Sequence, residues 1–476
     1  MSYENAAALL ESYEKDIVKE TIEQINIPSV SEDLSKTGEV KKSLETFMAN
    51  AASYGFNTYM TASHSVGVVE LGEGEEIIGI LSHLDVVDPG ALEQWERNPF
   101  SGTLEQGRIY GRGALDDKGA TIVCLHVMRA LRELKLPFYK KIQLIAGTGE
   151  EVSWTDIEEY INEGHKLPDY GFSPDNEFPV QNREKGYADF ELYFDNFSGG
   201  TRKNGDFKIV SMKAGHGNAI VPEEAEAVLE GDSNTLAEIL KKYDNPKLHL
   251  KGEGRATVVS ASGRACHASV PDEGDNAIYT LIDFLSTLNL APNGGYNAVR
   301  FIKDNLSQDP FGEALGLHEE DEYLQGEYVH KTTVIPTVIE TTDQRIHLTL
   351  NTRPRNGTPK EKSVNLLNKA STEYGFRVEL SQYYDPLFVS KDQPFIAEMA
   401  KAYEEVTGLK NEYRLSAGTT YAKTMNNLVS WGPMFPGDTD TCHIANEYIE
   451  LDSLMKAARV YLKYLYRMAF SPDSGL

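Results

Sequence analysis

Apolar and polar residues alternate along this chain in two different rhythms. In the first third, the apolar runs Ile77 to Leu81, Ile142 to Ala146 and Tyr170 to Ser173 have the length of buried strands. Around them lie stretches of helical period. Glu4 to Gln24 reads as one helix. Asp117 to Lys135 reads as another, with Cys124, Leu125, Met128 and Leu131 on one face. Strands and helices in alternation predict an α/β domain built on a mostly parallel sheet with helices on both faces. In such sheets ligands bind beyond the carboxyl ends of the strands. His83, Asp85, Glu150, Glu151 and Asp175 follow those ends and are expected on one rim.

From about Glu184 the rhythm changes. Asp189 to Tyr193 and Phe207 to Met212 read as strands. Ile346 to Arg353 alternates, with Ile346, Leu348 and Leu350 expected inward and His347, Thr349 and Asn351 outward. Asn276 to Leu288 has helical spacing. This texture predicts a second, α+β domain. After Asp385 and Pro386 helices return, at Gln393 to Glu405 and in a last helix capped by Asp452 and ending near Arg467.

Length and charge narrow the function. A chain of 476 residues exceeds one ordinary core and implies two or three domains. With 46 basic against 73 acidic residues, the net charge is -27, which disfavours nucleic acid and anionic membrane as partners. The first twenty residues lack the basic and apolar regions of a signal peptide, and no apolar run is long enough to span a bilayer. Three scattered cysteines, Cys124, Cys266 and Cys442, make no disulfide framework and point to a reducing compartment, the cytoplasm.

Taken singly, each candidate site residue has an ordinary explanation. His83 and Asp85 form an H-x-D pair, which is often only a surface or core feature. Asp116 and Asp117 precede a helix, where aspartates usually cap. Glu150 and Glu151 could be two solvated side chains after the glycine-rich turn Gly147-Thr148-Gly149, and Asp175 a turn residue. His443 could be structural. Their co-occurrence carries the argument. Two histidines and several carboxylates, each after a strand or before a helix, suit hard-to-borderline metals. A carboxylate shared by two metals keeps them about 3.5–4 Å apart.

The motifs Ser82-His83-Leu84-Asp85-Val86-Val87, Gly111-Arg112-Gly113 with Asp116-Asp117-Lys118-Gly119, Gly147-Thr148-Gly149-Glu150-Glu151, Phe172-Ser173-Pro174-Asp175-Asn176-Glu177-Phe178-Pro179 and His443-Ile444-Ala445-Asn446-Glu447 run through nearly the whole chain. In order and spacing they resemble the PepV-type dipeptidases of the aminoacylase and carboxypeptidase G (ArgE/DapE-like) metallopeptidase family. The resemblance implies a discontinuous catalytic domain, 1–183 and 384–476, with an inserted lid domain, 184–383. It implies two divalent metal ions, zinc first and manganese as the alternative. His83 and Asp175 would hold one, Glu151 and His443 the other, with Asp116 bridging across a cis bond to Asp117. Asp85 would orient His83. Glu150 would be the general base for a metal-activated water.

The same resemblance gives His267, in Gly263-Arg264-Ala265-Cys266-His267, as the oxyanion donor and Arg353 as the ligand of a substrate carboxylate. Gly418, in Ala417-Gly418-Thr419-Thr420, matches a substrate-binding loop. Asn218 is the nearest match to a substrate-contacting asparagine, one position before the usual slot, which here is Ala219. Ser416 stands where the family has glycine. The implied substrate is a small unblocked peptide, cleaved by a monomer whose own His267 completes the site. An N-acyl amino acid deacylase, desuccinylase or carboxypeptidase of the same family is the alternative. A metal-less scaffold or a two-metal phosphoesterase would fit the fold or the ligand types but not the whole pattern.

Overall fold

A computed structural model describes residues 2–32, 37–195, 205–252, 256–318, 321–342, 345–473 and 475. The chain divides into two compact units, Met1–Arg183 with Leu387–Leu476, and Glu184–Pro386. The second break falls after Pro386 because the last long strand of the inserted unit runs through Tyr384.

The first unit is built on a six-stranded sheet. Its order is Asn57–Met60, Gly67–Leu71, Lys141–Gly147, Ile77–His83, Tyr170–Ser173 and Leu428–Ser430. The last four strands are mutually parallel, and the first two join antiparallel at one edge. Every residue of Ile77–His83 is buried, which is why that strand reads as a continuous apolar run rather than an alternation. His83 pairs with Gly147 at the ends of adjacent parallel strands, so the segments leaving both strands start on the same rim. The helix Lys118–Glu133 packs on these strands, and the helices Tyr3–Ser12, Glu14–Ile25 and Leu451–Ala469 pack on it in turn. It is therefore buried on nearly every side through Met128, not along one face.

Two helix expectations change. Glu4 to Gln24 is not one helix but two, Tyr3–Ser12 and Glu14–Ile25, broken at Tyr13. The last helix begins at Leu451, with Glu450 in the cap position, so Asp452 sits in the first turn, where its charge still suits the helix dipole.

The second unit carries an eight-stranded antiparallel sheet, in the order Leu248–Lys251, Ala256–Ser262, Glu224–Glu230, Lys208–Ala214, Thr333–Thr342, Arg345–Arg353, Tyr187–Asp195 and Arg377–Tyr384. The helices Ala277–Leu285, Gly294–Asn305 and Lys360–Tyr374 pack on it and bury an aliphatic and aromatic core. A mostly parallel α/β unit beside an α+β unit is the architecture the hydrophobic pattern predicts, and the family resemblance supplies the insertion. One detail differs. Ile346, Leu348 and Leu350 are buried as expected, but Thr349 and Asn351 are buried too. They avoid water because the neighbouring strand offers them carboxylates, the half-buried Glu191 to Thr349 and the buried Asp189 to Asn351.

Candidate functional site

The parallel strands of the first unit deliver their side chains to one cluster. His83 ends its strand fully buried. Its Nδ1 lies 3.1 Å from the Asp85 carbonyl oxygen and 3.4 Å from the Asp85 carboxylate. That leaves Nε2 facing Asp116 Oδ1 at 3.0 Å and Asp175 Oδ2 at 3.7 Å. From the far end of the sequence, His443 Nε2 lies 3.1 Å from Asp116 Oδ2 and 3.2 Å from Glu151 Oε1. Asp116 therefore turns one carboxylate oxygen to each histidine. Ligand atoms of His83, Glu150 and Asp175 lie within 4.8 Å of one another, as do those of His83, Asp116 and Glu151. Glu150 is thus within ligand reach of the same corner as Asp175.

The backbone around these groups is fixed by buried carboxylates. Asp85 accepts hydrogen bonds from the amides of Glu150 and Glu151, at 3.3 and 3.1 Å, besides touching His83. Glu447 is fully buried and accepts from the amides of Gly113, Leu115 and Asp116, at 3.0, 3.0 and 3.2 Å, and from Arg112 Nη1 at 2.6 Å. Asp156 accepts from the amides of Thr148 and Gly149 and from the Tyr421 hydroxyl, pinning the turn before Glu150. The bond between Asp116 and Asp117 is cis. Asp117 occupies the cap position without capping; its Oδ2 accepts from the His83 amide and the Thr121 hydroxyl instead. His443 has φ +62°, a backbone state uncommon for a side-chain-bearing residue and frequent at functional sites.

The electrostatics of this donor set call for cations. Burial, reinforced by Asp175, pushes Glu150 well up, and its Oε1 is buried with no hydrogen-bond partner. Burial and Asp116 push Glu151 up to about 7, and the same two causes raise Asp175. Burial alone would lower His443, yet Asp116 and Glu151 push it up to about 12. Crowded carboxylates that repel one another and hold protons on their histidines are groups in want of positive charge. Imidazole and carboxylate donors, with one carboxylate presenting an oxygen to each side, fit a pair of divalent cations. The three cysteines are unpaired, and burial pushes the Cys124 and Cys442 thiols well up, which favours thiol over thiolate.

A cavity of about 550 Å³ opens beside the cluster, in the usual size range for small-ligand pockets. Asn176, Arg414, Gly418 and Met434 line its wall. Ser416, where glycine was expected, accepts from the Gly418 amide at 2.9 Å and from Asn176 Nδ2 at 3.1 Å, so its hydroxyl holds the Gly418 loop.

The remaining candidates form a group within the second unit. His267 Nδ1 accepts from the Ser269 amide at 3.3 Å and lies 2.5 Å from the Ser269 hydroxyl, so the neutral ring carries its proton on Nε2. Burial, with Arg353 and Lys185 nearby, pushes His267 down to about 4. Arg353 is buried; its Nε donates to Asn351 Oδ1 at 3.0 Å and its guanidinium lies over the Tyr187 ring, 4.4 Å from the centroid. Asn218 Nδ2 donates to Asp189 Oδ2 at 2.9 Å. Lys185 joins this group, donating to the Ser269 carbonyl at 3.3 Å, and burial pushes it down to about 7.

Sequence reasoning gave no role to Glu447, Asp156, Asp189 or Lys185. Glu447 did stand in the last quoted motif. The others carry no recognisable motif, and part of each one's bonding comes from distant segments: Tyr421 for Asp156, Asn218 and Asn351 for Asp189, and Ser269 for Lys185.

A family model described as Peptidase family M20/M25/M40 matches residues 79–467. "Putative dipeptidase YtjP" of Bacillus subtilis (strain 168) is 33% identical over 469 residues, covering 96% of this chain and 97% of that protein. Among solved structures, human carnosine dipeptidase 1 superposes with a TM-score of 0.62 at 13% identity, covering 97% of this chain and 98% of its own. Bacillus subtilis YXEP, described as a dinuclear metal binding peptidase from the M20 family, superposes with a TM-score of 0.50 at 12% identity, covering 95% and 97%. At these identities the two superpositions speak for the fold.

Proposed function

Because the chain belongs to peptidase family M20/M25/M40, we propose that it is a two-cation dipeptidase that hydrolyses small unblocked peptides. The observation that carries this reading is Asp116, with Oδ1 at 3.0 Å from His83 and Oδ2 at 3.1 Å from His443. His83 and Asp175 would hold one cation and Glu151 and His443 the other, with Asp116 shared. Two divalent cations there supply an acidified water and a polarised carbonyl. Zinc suits the mixed imidazole and carboxylate donors, and manganese is the alternative.

The chain's own groups do the rest. Glu150 takes the proton of the attacking water and returns it to the leaving amine. Asp85 keeps the His83 ring and the Glu150 and Glu151 backbone in one arrangement, and Glu447 does the same for the Asp116 segment. Arg353 pairs with the substrate's terminal carboxylate. His267, neutral near pH 7 with its proton on Nε2, donates to the oxyanion as it develops. Gly418 lines the cavity that takes the substrate, and Asn218 is the weaker candidate for a contact.

The name of the YtjP relative supports a dipeptide substrate, and the description of YXEP supports two metals. An inserted unit spanning Glu184–Pro386 supports a monomer that needs no partner's residues. The unpaired cysteines support the cytoplasm, and no helix among the described residues is long and apolar enough to cross a membrane.

A panel of unblocked dipeptides, N-acyl amino acids and longer peptides tests this. It is run on stripped protein with zinc or manganese restored. Dipeptides should be preferred over both other classes. Faster turnover of N-acyl amino acids would move the assignment to a deacylase.

A further inference from the structure

The strands Tyr187–Asp195 and Arg345–Arg353 run antiparallel, with Asp189 opposite Asn351. Asp189 is a carboxylate only 1% exposed, on the strand next to one edge of the antiparallel sheet. Burying a charge there is costly unless hydrogen bonds compensate for lost water. Three donors do. Tyr187 donates its hydroxyl to Oδ2 at 2.6 Å, Asn218 donates Nδ2 to the same oxygen at 2.9 Å, and Asn351 donates Nδ2 to Oδ1 at 2.8 Å.

Each donor leads on. Asn351 turns its own Oδ1 to Arg353 Nε at 3.0 Å. Tyr187 presents its ring to the Arg353 guanidinium. Asn218 is the candidate amide contact. One buried carboxylate thus stands behind the edge and the face of Arg353, and behind Asn218. An arginine buried to 3% exposure depends on such support, since it cannot lose its proton to escape burial.

We propose that Asp189 is a positioning residue for substrate recognition: through Asn351 and Tyr187 it sets the guanidinium plane of Arg353. This rests on the reading of Arg353 as the carboxylate ligand. Asp189 touches no substrate in this scheme. It pre-orders the groups that do, so that binding does not have to order them. Asparagine at 189 would remove the negative charge while keeping the shape. The Tyr187, Asn218 and Asn351 donors would then compete for one neutral acceptor, and Arg353 would lose its fixed orientation.

The experiment uses the full-length, cation-loaded enzyme and compares an unblocked dipeptide with the same dipeptide as its C-terminal amide. Arg353→Met reads the underlying assignment, because it should abolish the preference for the free carboxylate. Asp189→Asn should raise KM for the free dipeptide about tenfold, on the scale of a hydrogen bond to a charged group, with kcat nearly unchanged. The amide substrate should be nearly unaffected. In the Arg353→Met background, Asp189→Asn should add nothing further, the sign of two residues acting as one unit.

If Asp189→Asn fails to fold, Asn351→Ala breaks the same link from the other side and should give the same KM shift. A collapse of preference in Arg353→Met, with Asp189→Asn and Asn351→Ala leaving KM untouched or lowering kcat equally on both substrates, would overturn the proposal while sparing the Arg353 assignment. Preference left intact in Arg353→Met would overturn both.

Discussion

The two groups of candidate residues, one in each unit, make opposite electrical demands. In the first unit, Asp116, Glu150, Glu151 and Asp175 crowd two histidines, and burial with mutual repulsion lifts three of the four carboxylates. In the second, Lys185, His267 and Arg353 are the crowded groups, and burial pushes all three down. The first group asks for cations and the second for an anion. The support behind them differs in the same way. Asp85, Asp156 and Glu447 hold mainly backbone amides in the first unit, whereas Asp189 holds side chains in the second. A cage for metals needs its loops fixed, and a clamp for a carboxylate needs its side chains aimed.

The sharpest break of that contrast removes the shared donor. Asp116→Ala should abolish both cation uptake, read by atomic emission, and turnover, with the second unit's stability unaltered in limited proteolysis. Glu150→Gln should leave cation content intact and lower kcat by about 10²–10⁴, the range for losing a general base. Steady-state kinetics beside metal analysis separates these two outcomes. Next in size, Glu447→Gln leaves Arg112 buried without its partner. It should cost about 3–5 kcal/mol in denaturant unfolding and weaken cation affinity, since the Asp116 segment loses its anchor.

The smallest effect tests the second group by pH. His267 sits at about 4 in the fold against 6.5 for an unperturbed imidazole. Between pH 6.5 and pH 4 the unfolded chain therefore binds more protons than the folded one, and stability falls as pH drops through that window. The loss should reach up to about 3 kcal/mol. His267→Gln should remove that part of the slope, as read from urea midpoints across the same window.

Strand ends were legible because apolar runs stop abruptly, which is why His83, Glu150 and Asp175 could be placed on one rim from the sequence. The joining of His443 to Asp116 was reachable only through family resemblance, since hundreds of residues separate them. Supporting carboxylates were harder still. Asp156 and Asp189 look like any helix-start or strand acid, and only the tertiary structure brings in Tyr421 for the one and Asn218 and Asn351 for the other. Asn351 shows the limit of alternation. Period two gives the face of a strand, but not whether a polar face meets water or a buried carboxylate. Tyr13 breaks the first helical stretch in two, and its composition gives no warning of that.

Stepwise addition of zinc to stripped protein, with bound metal and dipeptide hydrolysis followed together, tests the central claim most directly. Uptake should stop at two equivalents per chain, and hydrolysis should rise as the pair fills. Full hydrolysis by stripped protein, or uptake unchanged when Asp116 is replaced, would contradict it.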